Sequence, residues 1–128
     1  MQVILDTHAL IWWWANDPRL ANGMRDLIED KATTVFVSAI SALEIGIKVR
    51  LGKLPEMQSR IGQFHEAVRD DGFVHLNLHY QHAITAGLLP GDHRDPFDRA
   101  IAAQGLVESL PIITHDGAFS DFGCKVLW

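Results

Sequence analysis

Hydrophobic and polar positions along the chain alternate between short apolar runs and longer stretches with a three-to-four-residue rhythm. Val3-Ile4-Leu5, Thr34-Val35-Phe36-Val37, Phe73-Val74-His75-Leu76 and Ile112-Ile113-Thr114 are compact β-like runs, and Val126-Leu127-Trp128 reads as a last, edge strand. Between them lie helical patterns. One begins near Thr7. A second is expected after Asn16-Asp17-Pro18, with Asp17 as N-cap, Pro18 at the first helical position and an apolar stripe of Leu20, Met24, Leu27 and Ile28. A third, capped by Ser38 or Ser41, carries Ile40, Leu43, Ile47 and Leu51 and stops at Gly52. Ile61, Phe64, His65 and Val68 predict a fourth, His79 to Leu88 a short fifth, and Pro96 to Val107 a strong sixth on which Phe97, Ala100, Ile101 and Gln104 recur. Strands separated by helices predict an α/β fold: one α/β/α domain over residues 1–128, with a mainly parallel sheet of four or five strands.

Composition changes this picture little. The chain has 128 residues, 48% hydrophobic and 21% charged, enough for a real core without staples. Cys124 is the only cysteine, so neither an internal disulfide nor a multi-thiolate zinc site can form. The opening residues lack a basic, signal-like stretch, and the longest apolar run, Ala9 to Ala15, is far below the ~20 residues of a membrane span. The expectation is a cytoplasmic protein with no membrane partner. A formal net charge of −5 argues against a nonspecific nucleic-acid coat, though not against an enzyme acting on nucleic acid.

The acids carry the chemistry. Asp6 and Asp116 each follow a predicted strand, and ligands of open parallel sheets bind at the carboxyl ends of strands. Glu44 lies early in the helix after the second strand; Asp95 and Asp98 open the helix before the fourth. Each has an ordinary alternative. Asp6, Asp95 and Asp116 can cap helices, Ser41-Ala42-Leu43-Glu44 matches a capping box, and Asp98 suits a helix dipole. Taken together the alternatives weaken. Two carboxylates ~4 Å apart repel by about 4 kcal/mol at an effective dielectric near 20, so four at one spot call for a cation. Oxygen ligands favour Mg2+ or Mn2+, and such a centre suits phosphodiester hydrolysis.

The segments Ile4-Leu5-Asp6-Thr7-His8-Ala9-Leu10-Ile11-Trp12-Trp13, Ser38 to Ile45, His93-Arg94-Asp95-Pro96-Phe97-Asp98-Arg99 and Ile113-Thr114-His115-Asp116 give the chain its resemblance to the PIN-domain nucleases, most closely the VapC-like toxins of bacterial toxin–antitoxin pairs. The likeness spans nearly the whole chain. It implies an Mg2+- or Mn2+-dependent endoribonuclease, a cognate antitoxin that blocks the site, and a homodimer. The acids of the family match Asp6, Glu44, Asp98 and Asp116; Asp95 is then a cap or an outer contributor. Thr7 and Thr114 match hydroxyl positions that support the acids or bind phosphate or water.

Several features fall outside the acid set. Arg94, Arg99, Lys48, Arg50 and Lys53 flank it and can offset its repulsion of RNA, or can simply pair along helices as Glu44 and Lys48 do at four-residue spacing. Trp12, Trp13 and Trp14 sweep too wide an arc to be buried together, so one of them is expected at a dimer or antitoxin contact. His75, His79 and His82 read as surface or core-edge histidines rather than a zinc site, and His115 as a loop residue beside Asp116. Alternatives of the same fold are a housekeeping RNA-processing or DNA-acting nuclease; another class is a non-catalytic RNA- or partner-binding module. A phosphoaspartyl enzyme is disfavoured, since His8 stands where a second acid is wanted.

Overall fold

Val3, Ile4 and Leu5 are wholly buried, and their alternation decides the architecture. Val3 and Leu5 point into one apolar cluster and Ile4 into another, so both faces of the first strand must be covered. The computed structural model, which describes residues 1–128, shows how. Strands β1 (Gln2–Leu5), β2 (Thr34–Ser38), β3 (Val74–Leu76), β4 (Ile112–Ile113) and β5 (Val126–Leu127) form one sheet in the order β3-β2-β1-β4-β5. Every pairing is parallel, with Leu5 opposite Val37 on one side and Ile113 on the other.

On one face lie α1 (Thr7–Trp14), α2 (Asn22–Glu29), α3 (Ala39–Arg50), α4 (Gln58–Gly62) and α5 (Phe64–Asp70); Leu10, Ile28, Ile45 and Val68 join Val3 and Leu5 there. On the other, Ile101 of α7 (Pro96–Glu108) and Phe119 of α8 (Ala118–Asp121) pack on Ile4 and Ile112. Helix α6 (Tyr80–Leu88) lies antiparallel to α7 through the small side chains Ala86, Ala100 and Ala103. Gly52 follows α3 with φ +73°, a left-handed conformation that suits its expected role as the stop.

Two local expectations give way, and one open choice is settled. Asp17 caps no helix: its carboxylate accepts from the Arg19 backbone N–H at 2.9 Å and grips the Arg19 guanidinium, while α2 starts only at Asn22. The helix expected from Ile61 to Val68 is split at Gln63 (φ −129°, ψ 43°) into α4 and α5, preceded by a 3-10 turn at Pro55–Met57. Ser38, not Ser41, caps α3, its hydroxyl accepting the Ile40 N–H at 3.0 Å. No helix is long and apolar enough to cross a membrane.

Candidate active site

The chain leaves β1 for β2 and β3 on one side and returns to β4 and β5 on the other, so the winding reverses between β1 and β4. A crevice opens at such a reversal, beyond the strands' carboxyl ends. Asp6 follows β1 there, and Thr114 and Asp116 follow β4.

Asp6 both caps and belongs to the site. Its Oδ1 accepts the Ala9 N–H at 2.7 Å, and its Oδ2 accepts the Thr114 hydroxyl. That hydroxyl in turn accepts the Asp116 N–H at 3.0 Å, tying together acids from opposite ends of the chain. Thr7 serves differently: its Oγ1 lies 3.0 Å from Ser41 Oγ, joining the start of α1 to α3. Glu44 is buried in α3. Its Oε2 pairs with Lys48 Nζ at 2.9 Å, as the four-residue spacing suggests, while Oε1 is buried with no hydrogen-bond partner. Asp95 is the N-cap of α7, its Oδ1 accepting the N–H groups of Phe97 (2.9 Å) and Asp98 (3.3 Å). That cap sets the first turn and thereby aims Asp98, whose Oδ2 lies 3.0 Å from His93 Nε2. Asp116 is exposed, its Oδ1 accepting the Ala118 N–H at 2.9 Å.

The electrostatics show that these acids share one space. Burial pushes the Asp98 carboxyl up to about 6, against a donated bond from His93, and the charges of Asp95, Asp116 and Glu44 push the same way. Burial also raises Asp6, with Asp116 adding to it, although Thr114, Ala9 and the charge of His8 oppose the rise. Asp6, Asp116, Asp98 and Glu44 thus form a linked set of like charges drawn from four elements. Ligand atoms of His93, Asp98 and Asp116 all lie within 4.8 Å of one another. Repelling carboxylates, an orphaned buried oxygen on Glu44 and a donor set of oxygens with one imidazole together fit a hard divalent cation.

His93 is the residue that sequence reasoning passed over. It opens the His93–Arg99 segment already singled out, but only the fold of the loop before α7 brings its ring onto Asp98. Arg99 behaves unlike the expectation for it. Its guanidinium, foreseen at a substrate phosphate, donates to the carbonyls of Ala86, Leu89 and His93 (2.8 Å for the last) and so pins the His93 loop between α6 and α7. Arg94 is exposed. Trp13 and Trp14 both donate to the Asp71 carboxylate, at 3.1 and 2.9 Å, whereas Trp12 turns toward the acids, lining a cavity with Asp6, His8, His115 and Asp116. His82 is deeper than a core-edge residue. It is wholly buried, its Nδ1 accepting the His79 N–H and its Nε2 2.9 Å from Glu108.

Comparison with known proteins agrees with this geometry. No curated protein sequence matches the chain. Among solved structures it is similar to VapBC2 from Rickettsia felis bound to a DNA fragment from their promoter (18% identity, 99% of this chain and 98% of that one, TM-score 0.72). It is similar also to FitAcB from Neisseria gonorrhoeae (23%, 100% and 97%, TM-score 0.69) and to VapBC-1 from nontypeable Haemophilus influenzae (19%, 99% and 97%, TM-score 0.65). At these identities the likeness is one of fold. The PIN domain family model matches residues 3–123, nearly the whole sheet and every acid of the cluster. A family pattern that runs from β1 past α8 covers the sheet's reversal and the acids over it in this chain: the protein belongs to the PIN-domain family.

Proposed function

We propose that this protein is a metal-dependent endoribonuclease acting as the toxin of a toxin–antitoxin pair. One observation carries the reading: four carboxylates up to 110 residues apart in sequence converge at the sheet's switch point, where burial and their like charges disfavour ionisation and a bound cation would relieve both. Asp6, Asp98 and Asp116, with Glu44 behind them and His93 alongside, are the residues that hold it. A bound Mg2+ or Mn2+ supplies Lewis acidity toward a phosphodiester and toward the attacking water.

The chain's own groups do the rest. The Thr114 hydroxyl and the Ala9 N–H hold the Asp6 carboxylate in one orientation. Asp95 fixes the first turn of α7, and Arg99 fixes the loop that brings His93 to Asp98. Lys48 neutralises one oxygen of Glu44 and leaves the other buried without a partner. With a carboxyl near 6, Asp98 is ionised at neutral pH and becomes protonated in mild acid, so cation binding weakens below about that pH.

The antitoxin partner is supported by the fold neighbours, which are described as VapBC2 bound to a DNA fragment from their promoter and as VapBC-1. A homodimer is supported by Tyr80, Ile84 and Leu88, which sit four residues apart on α6 and are 72%, 56% and 77% exposed. Such a stripe is costly in water and suits an isologous contact.

Cleavage of RNA is tested with Mg2+ or Mn2+, with EDTA, and with Asp6→Asn and Asp98→Asn. Loss of cleavage in EDTA and in both folded variants is expected. Full activity in both variants rejects the assignment. Growth arrest on expression, relieved by a small DNA-binding protein encoded just upstream, tests the toxin role.

A further inference from the structure

Beyond the acids, the crevice has an aromatic wall for which phosphodiester chemistry alone has no use. A cavity of about 250 Å³ is floored by Asp6 and Asp116 and walled by His8, Trp12 and His115. The wall is braced from behind. The Arg19 guanidinium lies 5.0 Å over the Trp12 ring and is itself held by the Asp17 carboxylate at 2.7 Å. Trp128 meets Trp12 edge-on at 5.8 Å and stacks on His115 at 5.0 Å, with 21° between the planes. His8 leans on Trp12 at 5.8 Å. Four rings thus form a continuous surface that ends at the acids. A second cavity of about 320 Å³ shares the His8–Trp12 wall and is lined by Lys53, which has no ion-pair partner, along with Arg19 and Lys48.

We infer that this wall is a nucleobase subsite: an unpaired base of the substrate strand stacks between His8, Trp12 and His115 while its phosphate lies over the acids, and the next phosphate meets Lys53. The inference rests on the ribonuclease reading above and adds to it the side chains of this chain that hold a base beside the phosphate. Three features argue for it. Flat rings beside a phosphate-handling centre are what a base requires, because any base offers a π-face. The rings offer their faces in a concavity of about 250 Å³, and a base held in a duplex would have to leave its stack to lie against them. The rings are already held by one another and by Arg19, so little freedom is lost when a base arrives. The site also gives the substrate Trp12, one of the three tryptophans among which a partner contact was expected.

The test uses the full chain with an eight-nucleotide single-stranded RNA and a duplex of the same length. In steady-state cleavage, Trp12→Ala raises KM about 10- to 100-fold with kcat little changed, and Trp12→Phe restores most of it. His115→Ala, a change at an exposed residue that leaves folding intact, raises KM in the same direction. Replacing one base of the strand by an abasic sugar mimics Trp12→Ala. Lys53→Ala lowers the slope of log affinity against log salt by about one. Unchanged KM in Trp12→Ala and His115→Ala, or equal cleavage of duplex and single strand, overturns the subsite while leaving the nuclease intact. Should the wild type cleave nothing, the nuclease reading falls. Binding of the same oligonucleotide to Asp98→Asn, with and without Trp12→Ala, then decides the subsite alone. Weaker binding without the indole supports it. Equal binding, the result if the cavity serves a partner's side chain, overturns it.

Discussion

At the residue scale the centre is a set of groups held against their own preference. Asp98 binds its proton more tightly folded than unfolded, since its carboxyl titrates near 6 rather than in the ordinary range. A raised carboxyl stabilises the fold below the unfolded value and loses that stability as pH rises through about 4 to 6. In EDTA, Asp98→Asn therefore gains on the wild type across that window and keeps the gain above it. We expect about 1–2 kcal/mol at pH 7.5, less than the full shift because water still reaches the group. Thermal unfolding at pH 4, 6 and 7.5 checks this; an equal difference at all three values contradicts it. Thr114→Val is expected to cost about 1–3 kcal/mol, because it strands a buried oxygen of Asp6 and the N–H of Asp116 together. A urea midpoint shifted at constant slope would show it. Much of this set was legible in sequence. Asp6, Glu44, Asp98 and Asp116 each stand where a strand or helix terminus can be read from its neighbours. His93 and Arg99 were not legible, because their partners lie in a loop whose path no periodicity encodes.

At the scale of elements the sequence was informative where burial was continuous and silent where turns decided. All five strands follow from their apolar runs. The start of α2 does not, since Asp17 had a competing partner in Arg19, and α4 ends at Gly62, a weak helix residue that the apolar rhythm of Ile61, Phe64 and Val68 masked. The tightest joint is between α7 and β4. A Cβ on Gly105 would lie 2.7 Å from Ile112 Cδ1 and 3.1 Å from the Leu110 carbonyl oxygen. Gly105→Ala gains up to about 1 kcal/mol of helix propensity but loses more to overpacking, about 1–3 kcal/mol, and is expected to destabilise on balance. Ile112→Val removes the Cδ1 and should recover part of the loss in the double variant. Denaturant unfolding of the four proteins of that cycle tests the contact, and strict additivity of the two changes would refute it.

At the scale of the whole molecule the net charge of −5 has a local explanation, since much of it sits in one crevice beside basic side chains on α3 and in the turn after it. Two surfaces stand out: the wall of aromatic rings and acids at Trp12, and the exposed apolar Tyr80–Ile84–Leu88 stripe. Ile84→Glu is expected to convert a dimer to a monomer in sedimentation velocity with its helix content unchanged. A wild type that sediments as a monomer refutes the dimer, and a variant that remains dimeric refutes this surface. Dimerisation was only implied by family resemblance, and the stripe could not be read from sequence because the same pattern would serve a buried helix.

The sheet places its first strand at its centre, and β1 is not flanked on both sides until Ile112 and Ile113 pair with it. During synthesis, a growing polypeptide that has not yet emerged past residue 116 holds Asp6 and Glu44 but has no Thr114 to orient the first and no Asp116 to complete the cluster. Long-range parallel pairing of this kind is also slow to form. On the proposed nuclease reading, the centre is therefore incomplete until the β4 segment has emerged and paired with β1.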